Sequence, residues 1–139
     1  MRARIFASKA ADGEWEAKIG PGRLQDIELV AQSCALRAAD GARRVEAQLR
    51  AGLKAGMLSK VDEAELQLAY RFLWRLQAGG RLLTEKPLDM DAIGEGGRVF
   101  LLRETGTSDL AMLRSQLKGH VARVAESVAR MLGQDVARG

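Results

Sequence analysis

The chain has 139 residues, of which 47% are hydrophobic, 29% charged and only 4% aromatic, with a net charge of +4. That length fits one domain with a sizeable core, and the balance of apolar and charged residues excludes a disordered chain. No run approaches the roughly 18 apolar residues of a membrane helix, and arginines interleaved with acids, with few aromatics, argue against a nucleic-acid surface.

Residues 1–8 read as the tail of a helix, and Ala11-Asp12-Gly13 as a turn. Met1-Arg2-Ala3-Arg4-Ile5-Phe6 is basic and briefly apolar but is cut short at Ser8-Lys9, so it does not read as a signal peptide. Trp15 to Ile19 is short and extended. A glycine turn then leads into a helix over about 24–38, with Leu24, Ile27, Ala31, Cys34 and Ala38 at helical spacing. Leu29 and Leu36 fall on another face, which predicts packing on two sides. Asp40-Gly41 ends this helix.

A second helix is predicted over about 42–55, with Val45, Leu49 and Leu53 in one row and Gly56 as its stop. Ser59 is placed to cap a third, over 60–83, with Asp62 and Glu63 in its first turn, where the helix dipole favours acids. Its middle is apolar nearly all round, Tyr70 and Trp74 included, which predicts the central core helix. Gly79-Gly80 weaken it near its end. Pro87 breaks the pattern, Asp89 to Ile93 makes one helical turn, and Gly94, Gly96 and Gly97 read as a loop. Arg98 to Glu104 is a short helix stopped at Gly106. Thr107 or Ser108 caps a last helix over about 109–132, where Leu110, Leu113, Leu117, Val121, Val124, Val128 and Met131 trace one stripe. The expected fold is an all-α bundle of five to six helices in one domain over 1–139. Residues 1–22 are its lead-in and glycine turn, and 23–139 the bundle.

The stretch with most chemistry in it is Lys18-Ile19-Gly20-Pro21-Gly22-Arg23-Leu24-Gln25-Asp26-Ile27-Glu28. Glycines ahead of a helix allow a tight turn and close approach to another group, and a helix N-terminus offers N–H groups to an anion. Lys18, Gly20 and Gly22 can therefore be one wall of a nucleotide site, or simply a turn. There is no G-x-x-x-x-G-K-[ST] and no G-x-G-x-x-G behind a strand. Asp26 and Glu28 are poor joint metal ligands, because helical residues two apart point about 200° apart. A first-turn acid favoured by the dipole is the alternative.

Gly79-Gly80 followed by Asp89-Met90-Asp91 imitates the Gly-Gly turn and Asp-x-Asp strand with which polymerase-β-like nucleotidyltransferases bind two metals. The context fails: the glycines lie late in a helix, Pro87 interrupts the approach, and no buried strand follows, so helix capping accounts for the acids. His120, on a polar flank of the last helix, reads as a surface histidine with no second ligand at metal spacing. The lone cysteine, Cys34, reads as a buried inert thiol, excludes an internal disulfide and suits the cytoplasm. With one histidine in the chain, no nucleophile has a visible base.

The segment from Lys18 to Leu29 resembles the K-x-G-x-G-G-[LI]-x-D-[IV]-E-[FL] signature of bacterial glutamine synthetase adenylyltransferases. It is shared more loosely with the uridylyltransferases that modify the PII signal protein. Val45-Glu46-Ala47-Gln48-Leu49-Arg50-Ala51-Gly52, Ala69-Tyr70-Arg71-Phe72-Leu73-Trp74-Arg75-Leu76-Gln77 and Gly94-Glu95-Gly96-Gly97-Arg98-Val99-Phe100-Leu101-Leu102-Arg103-Glu104 resemble the same family, so the likeness spans nearly the whole chain. Arg23 departs from it, standing at a family glycine; a positive φ there would strain an arginine.

The resemblance implies a helical domain that follows a nucleotidyltransferase domain, expected to be the C-terminal one, beside the half that attaches AMP from ATP to a tyrosine of glutamine synthetase. The catalytic carboxylates, with Mg²⁺ and ATP, would lie on the neighbouring sheet. Neither catalytic nor metal residues, and no cofactor, are then expected in this chain. Lys18, Gly20, Gly22, Asp26 and Glu28 become candidates for the nucleotide-proximal or domain-boundary surface, with the nucleotidyltransferase domain, glutamine synthetase and the PII protein as partners. The alternative is a stand-alone helical interaction module in which the glycine motif is only a turn.

Overall fold

The computed structural model describes residues 13–38, 41 and 44–138, with side chains as far as Met131. The expected helix at 1–8, and Ala11, Asp12 and Asp40 of the expected turns, lie outside these residues. The described elements are α1 (Leu24–Arg37), α2 (Val45–Lys54), α3 (Lys60–Leu83), α4 (Gly94–Thr105) and α5 (Leu110–Arg138), an all-α bundle around one core. No described helix is long and apolar enough to cross a membrane.

α3 is the axis: it touches all four other helices. Its limits follow from its ends. The Ser59 hydroxyl accepts the Asp62 N–H at 3.0 Å, satisfying a first-turn donor that would otherwise be unpaired. Leu66, Ala69, Leu73 and Leu76 are buried among the other helices, each large side chain contributing about 1.5–3 kcal/mol. Gly79 survives inside this helix because α4 closes on it. A Cβ there would lie 2.9 Å from a methyl of Leu101. α5 packs along the other half of α3, with Ser127 and Arg130 both bonding the Asp62 carboxylate, at 3.3 and 3.0 Å. α1 and α2 meet closely where Gly52 faces Cys34; a Cβ would sit 2.5 Å from the sulfur.

Several expectations are corrected. Gly94, Gly96 and Gly97 form the first turn of α4 rather than a loop. Gly97 is buried against Ile93, so packing overrides low helix propensity. α5 is capped by Asp109, whose Oδ1 accepts the Met112 N–H at 2.7 Å; the Thr107 hydroxyl instead bonds Thr105 at 2.9 Å. α5 runs on to Arg138. Trp15–Ile19 is irregular, not extended. Trp74 is 52% exposed rather than core, and Leu36, expected on a second packed face of α1, is 82% exposed. His120 is not a plain surface residue, since its ring is half-buried with its centroid 4.8 Å from that of Phe72.

Candidate functional site

The lead-in, residues 13–23, crosses the bundle ahead of α1 without regular structure. It is held because its apolar side chains enter the core: Trp15 and Ala17 are buried. Arg114 of α5 lies 5.3 Å from the Trp15 ring centre, a cation–π contact, and also pairs with Glu14. Two carbonyls of the lead-in then turn toward α1, that of Ala17 accepting the Leu24 N–H and that of Lys18 the Gln25 N–H, both at 2.9 Å. The carbonyl of Arg23 takes those of Asp26 and Ile27 at 3.0 and 3.3 Å. The first-turn donors of α1 are therefore already satisfied by the chain itself, so of the two readings of this stretch the helix N–H groups support the turn rather than an anion site.

The two motif glycines have physical reasons. Gly20 and Gly22 have φ of +123° and +76°, a region that L side chains rarely enter. Gly22 also lies so close to α5 that a Cβ would sit 2.1 Å from the Val121 carbonyl oxygen. Its N–H donates to Asp26 Oδ2 at 2.8 Å in a buried hydrogen bond. Asp26 is wholly buried. It closes the Gly22 turn from inside.

Arg23 is not strained, because its φ is −103° and the positive angles fall on its neighbours. Its Nε donates to the Glu16 carbonyl at 2.8 Å and a terminal nitrogen to that of Pro21 at 3.0 Å, so it laces the turn. Burial pulls its guanidinium down from its ordinary value, and Glu16 opposes that shift.

The candidate residues thus separate. Gly20, Gly22 and Asp26 come together inside the molecule. Glu28 points elsewhere: half-buried, it adds to the burial that chiefly raises the Tyr70 phenol, together with Glu46 of α2. Asp26 and Glu28 do not converge, and among the described residues no group of three or more His, Cys, Asp or Glu is placed to hold a metal ion. A Mg²⁺ ion does not fit the donor set of these described residues.

Lys18 is the outward member. It is exposed and lines a cleft of about 220 Å³ between the lead-in, the end of α3 and the loop after it, with Trp15, Gln77, Arg81, Lys86 and Leu88. Arg81, Lys86 and Trp15 were missed from sequence, since only the crossing of the lead-in over α3 brings them to Lys18. Arg81 also donates to the Glu85 carbonyl at 2.8 Å, fixing the loop.

Asp89 and Asp91 lie in an exposed turn where Asp89 Oδ1 accepts the Asp91 N–H at 3.0 Å. They cap a turn, away from any strand. Cys34 is wholly buried, and burial pushes its thiol up, against a smaller opposing effect of Arg37.

The described residues offer a rigidly held turn and an exposed lysine, with no paired nucleophile and base. The family model described as GlnD PII-uridylyltransferase matches residues 1–134. The chain is 32% identical to a bifunctional glutamine synthetase adenylyltransferase/adenylyl-removing enzyme of Xanthomonas oryzae, over 98% of this chain and 15% of that protein. It is 41% identical to the protein of the same name from Streptomyces avermitilis, over 52% of this chain and 8% of the other. A Mesorhizobium japonicum protein of that name is 29% identical over 85% of this chain and 12% of its own length. The chain thus spans about one seventh of the Xanthomonas relative. No solved structure matches it significantly. With its helices, its glycine turn and a family match running from residue 1 to residue 134 in agreement, the chain belongs to the GlnD PII-uridylyltransferase family.

Proposed function

We propose that this chain is the helical partner of a nucleotidyltransferase domain in a glutamine synthetase adenylyltransferase, where it shapes and shields the site that transfers AMP from ATP to a glutamine synthetase tyrosine. The observation that carries this reading is the division within the motif. Gly20, Gly22, Arg23 and Asp26 are used up in holding the lead-in against α1 and α5, while Lys18 is left exposed at a cleft with Arg81 and Lys86. A lysine on so fixed a segment is suited to a phosphate of a nucleotide bound by a neighbour, because a pre-placed charge needs no reorganisation when charge develops. Glu28 and the rim of the cleft would meet the adjoining domain, and Asp26 would act from inside by keeping the turn in shape. ATP and Mg²⁺ would be held by that domain, in the cytoplasm, and glutamine synthetase and the PII protein would be met by the assembled enzyme.

The test is a chimaera in which this chain replaces the homologous segment of the Xanthomonas oryzae relative. AMP transfer to glutamine synthetase is expected to be retained, and Lys18→Ala to lower it at least about tenfold with unchanged circular dichroism. Full transfer by the Lys18→Ala chimaera would remove Lys18 from the site. Transfer by the isolated chain, given ATP, Mg²⁺ and glutamine synthetase, would overturn the division of labour.

A further inference from the structure

α3 has a second ordered face besides the one in the core. Val61, Leu68, Arg75 and Leu82 recur every seven residues, and Ala64, Arg71 and Ala78 fall three residues after the first three of them. These positions have the a/d spacing of a heptad row, apolar towards both ends and basic at the centre, with Ala78 half-buried. The row faces away from the bundle: Val61 is 66% exposed, Leu68 58% and Leu82 78%, and Ala64, Arg71 and Arg75 are exposed as well. At 1.5 Å per residue the row is about 32 Å long. The core formed by the described residues does not explain it, because Leu66, Ala69, Leu73 and Leu76 already bury the opposite face.

We propose that this seam docks an amphipathic helix of a protein partner, apolar at the ends of its own heptad row and carrying carboxylates at the centre. The charge pattern selects that occupant. Arg71 and Arg75 occupy adjacent d and a positions in the middle of the row. Among the described residues Arg71 pairs with Glu46 of α2, at 3.7 Å and half-exposed, a pair weak enough to be exchanged. Lys60, Trp74 and Arg81 follow one flank, and Glu65 stands on the other. A second copy of α3, paired in register either parallel or antiparallel, would bring four guanidinium groups together at the centre, and like charges there oppose association. The chain's own first residues, with Arg2, Arg4 and Lys9, carry the same sign as the seam. A helix with acids facing Arg71 and Arg75 gains where those candidates lose, and Trp74 beside the row adds a large amphipathic contact of the kind that anchors interfaces. This inference does not depend on the role of Lys18.

The test uses two synthetic helical peptides of about four heptads, identical except that the central a and d positions are both Glu in one and both Lys in the other. Binding is read from Trp74 fluorescence, with Trp15 as a buried background. The Glu peptide is expected to bind at least about tenfold more tightly than the Lys peptide, and the Arg71→Glu, Arg75→Glu double variant to reverse that preference. Leu68→Asp is expected to abolish binding with circular dichroism unchanged. Equal affinity for the two peptides, or binding of neither, overturns the proposal, and that comparison needs only the wild-type protein. A wild-type dimer in sedimentation that Leu68→Asp disperses would overturn it too, by making the second copy the occupant.

Discussion

Gly22 is where local conformation and long-range packing meet, and Gly22→Ala separates the two. The φ of +76° would cost alanine about 1–2 kcal/mol on its own. The new methyl would also lie 2.1 Å from the Val121 carbonyl oxygen, and backbone of a packed helix cannot swing aside as a side-chain tip can. Forcing α5 and the lead-in apart adds about 1–3 kcal/mol of overpacking, for a total of about 2–5 kcal/mol, a large fraction of the roughly 5–15 kcal/mol of an ordinary domain. Gly56 is the control. Its φ is +78°, but a methyl there would meet nothing within 4 Å, so Gly56→Ala should cost only the conformational part, about 1–2 kcal/mol. Urea unfolding of both variants and the wild type, followed by circular dichroism, gives the comparison. Equal midpoint shifts at equal slope would refute the close approach of the turn to α5, leaving only backbone conformation to explain the glycine.

The two adjacent glycines of α3 should respond in opposite directions. Gly80→Ala places its methyl at ordinary contact distance, 3.6 Å from Leu88, so it should raise stability by about 0.5–1 kcal/mol through helix propensity. Gly79→Ala gains the same propensity but meets Leu101 at 2.9 Å, and overpacking of about 1–3 kcal/mol should leave it less stable than wild type; urea midpoints decide both. Stability should also depend on pH. Burial among α3 and α5 side chains, and secondarily Arg123, hold His120 below its ordinary value of 6.5. Because the unfolded chain binds the proton more readily, stability should fall as pH drops below about 6.5 and level off below the folded-state value. His120→Phe should flatten that slope between about pH 5.5 and 7, as read from urea midpoints, and an unchanged slope would assign the titration to another group.

What could be read from sequence was what depends on neighbours along the chain. α3 was placed from Lys60 to Leu83 because Ser59, the first-turn acids and the apolar period agree, and all three are local. The start of α4 was hidden for the converse reason. Gly94, Gly96 and Gly97 carry every local sign of a loop, and only burial of Gly97 against Ile93 and of Leu101 against Gly79 makes a helix of them. Trp74 was apolar enough for a core. Composition does not say on which side a neighbouring helix will stand. In the candidate site the turn was visible and its purpose was not. Nothing near Gly22 in sequence announces Val121, and an acid in a first turn looks the same whether it faces water or is wholly buried as Asp26 is. Sequence left open whether the N–H groups of α1 were free, and the answer lies in the lead-in, which folds back and supplies its own carbonyls.

That fold-back changes how the motif has to be dissected. Four of its members act on the chain itself: Gly20 and Gly22 permit the turn, Asp26 bonds it from within, and Arg23 laces it from without. Replacing any of them disturbs the path of residues 15–22, and loss of activity would follow whether or not that residue stood near a nucleotide. Lys18 is different. Its carbonyl serves α1, which any residue could provide, while its exposed side chain serves nothing within the described chain that its removal would unpair. Only Lys18 therefore isolates the chemistry of the cleft from the integrity of the turn. A Lys18 variant that leaves the unfolding curve where it was and still lowers AMP transfer by the Xanthomonas oryzae chimaera identifies a group acting on something outside this chain.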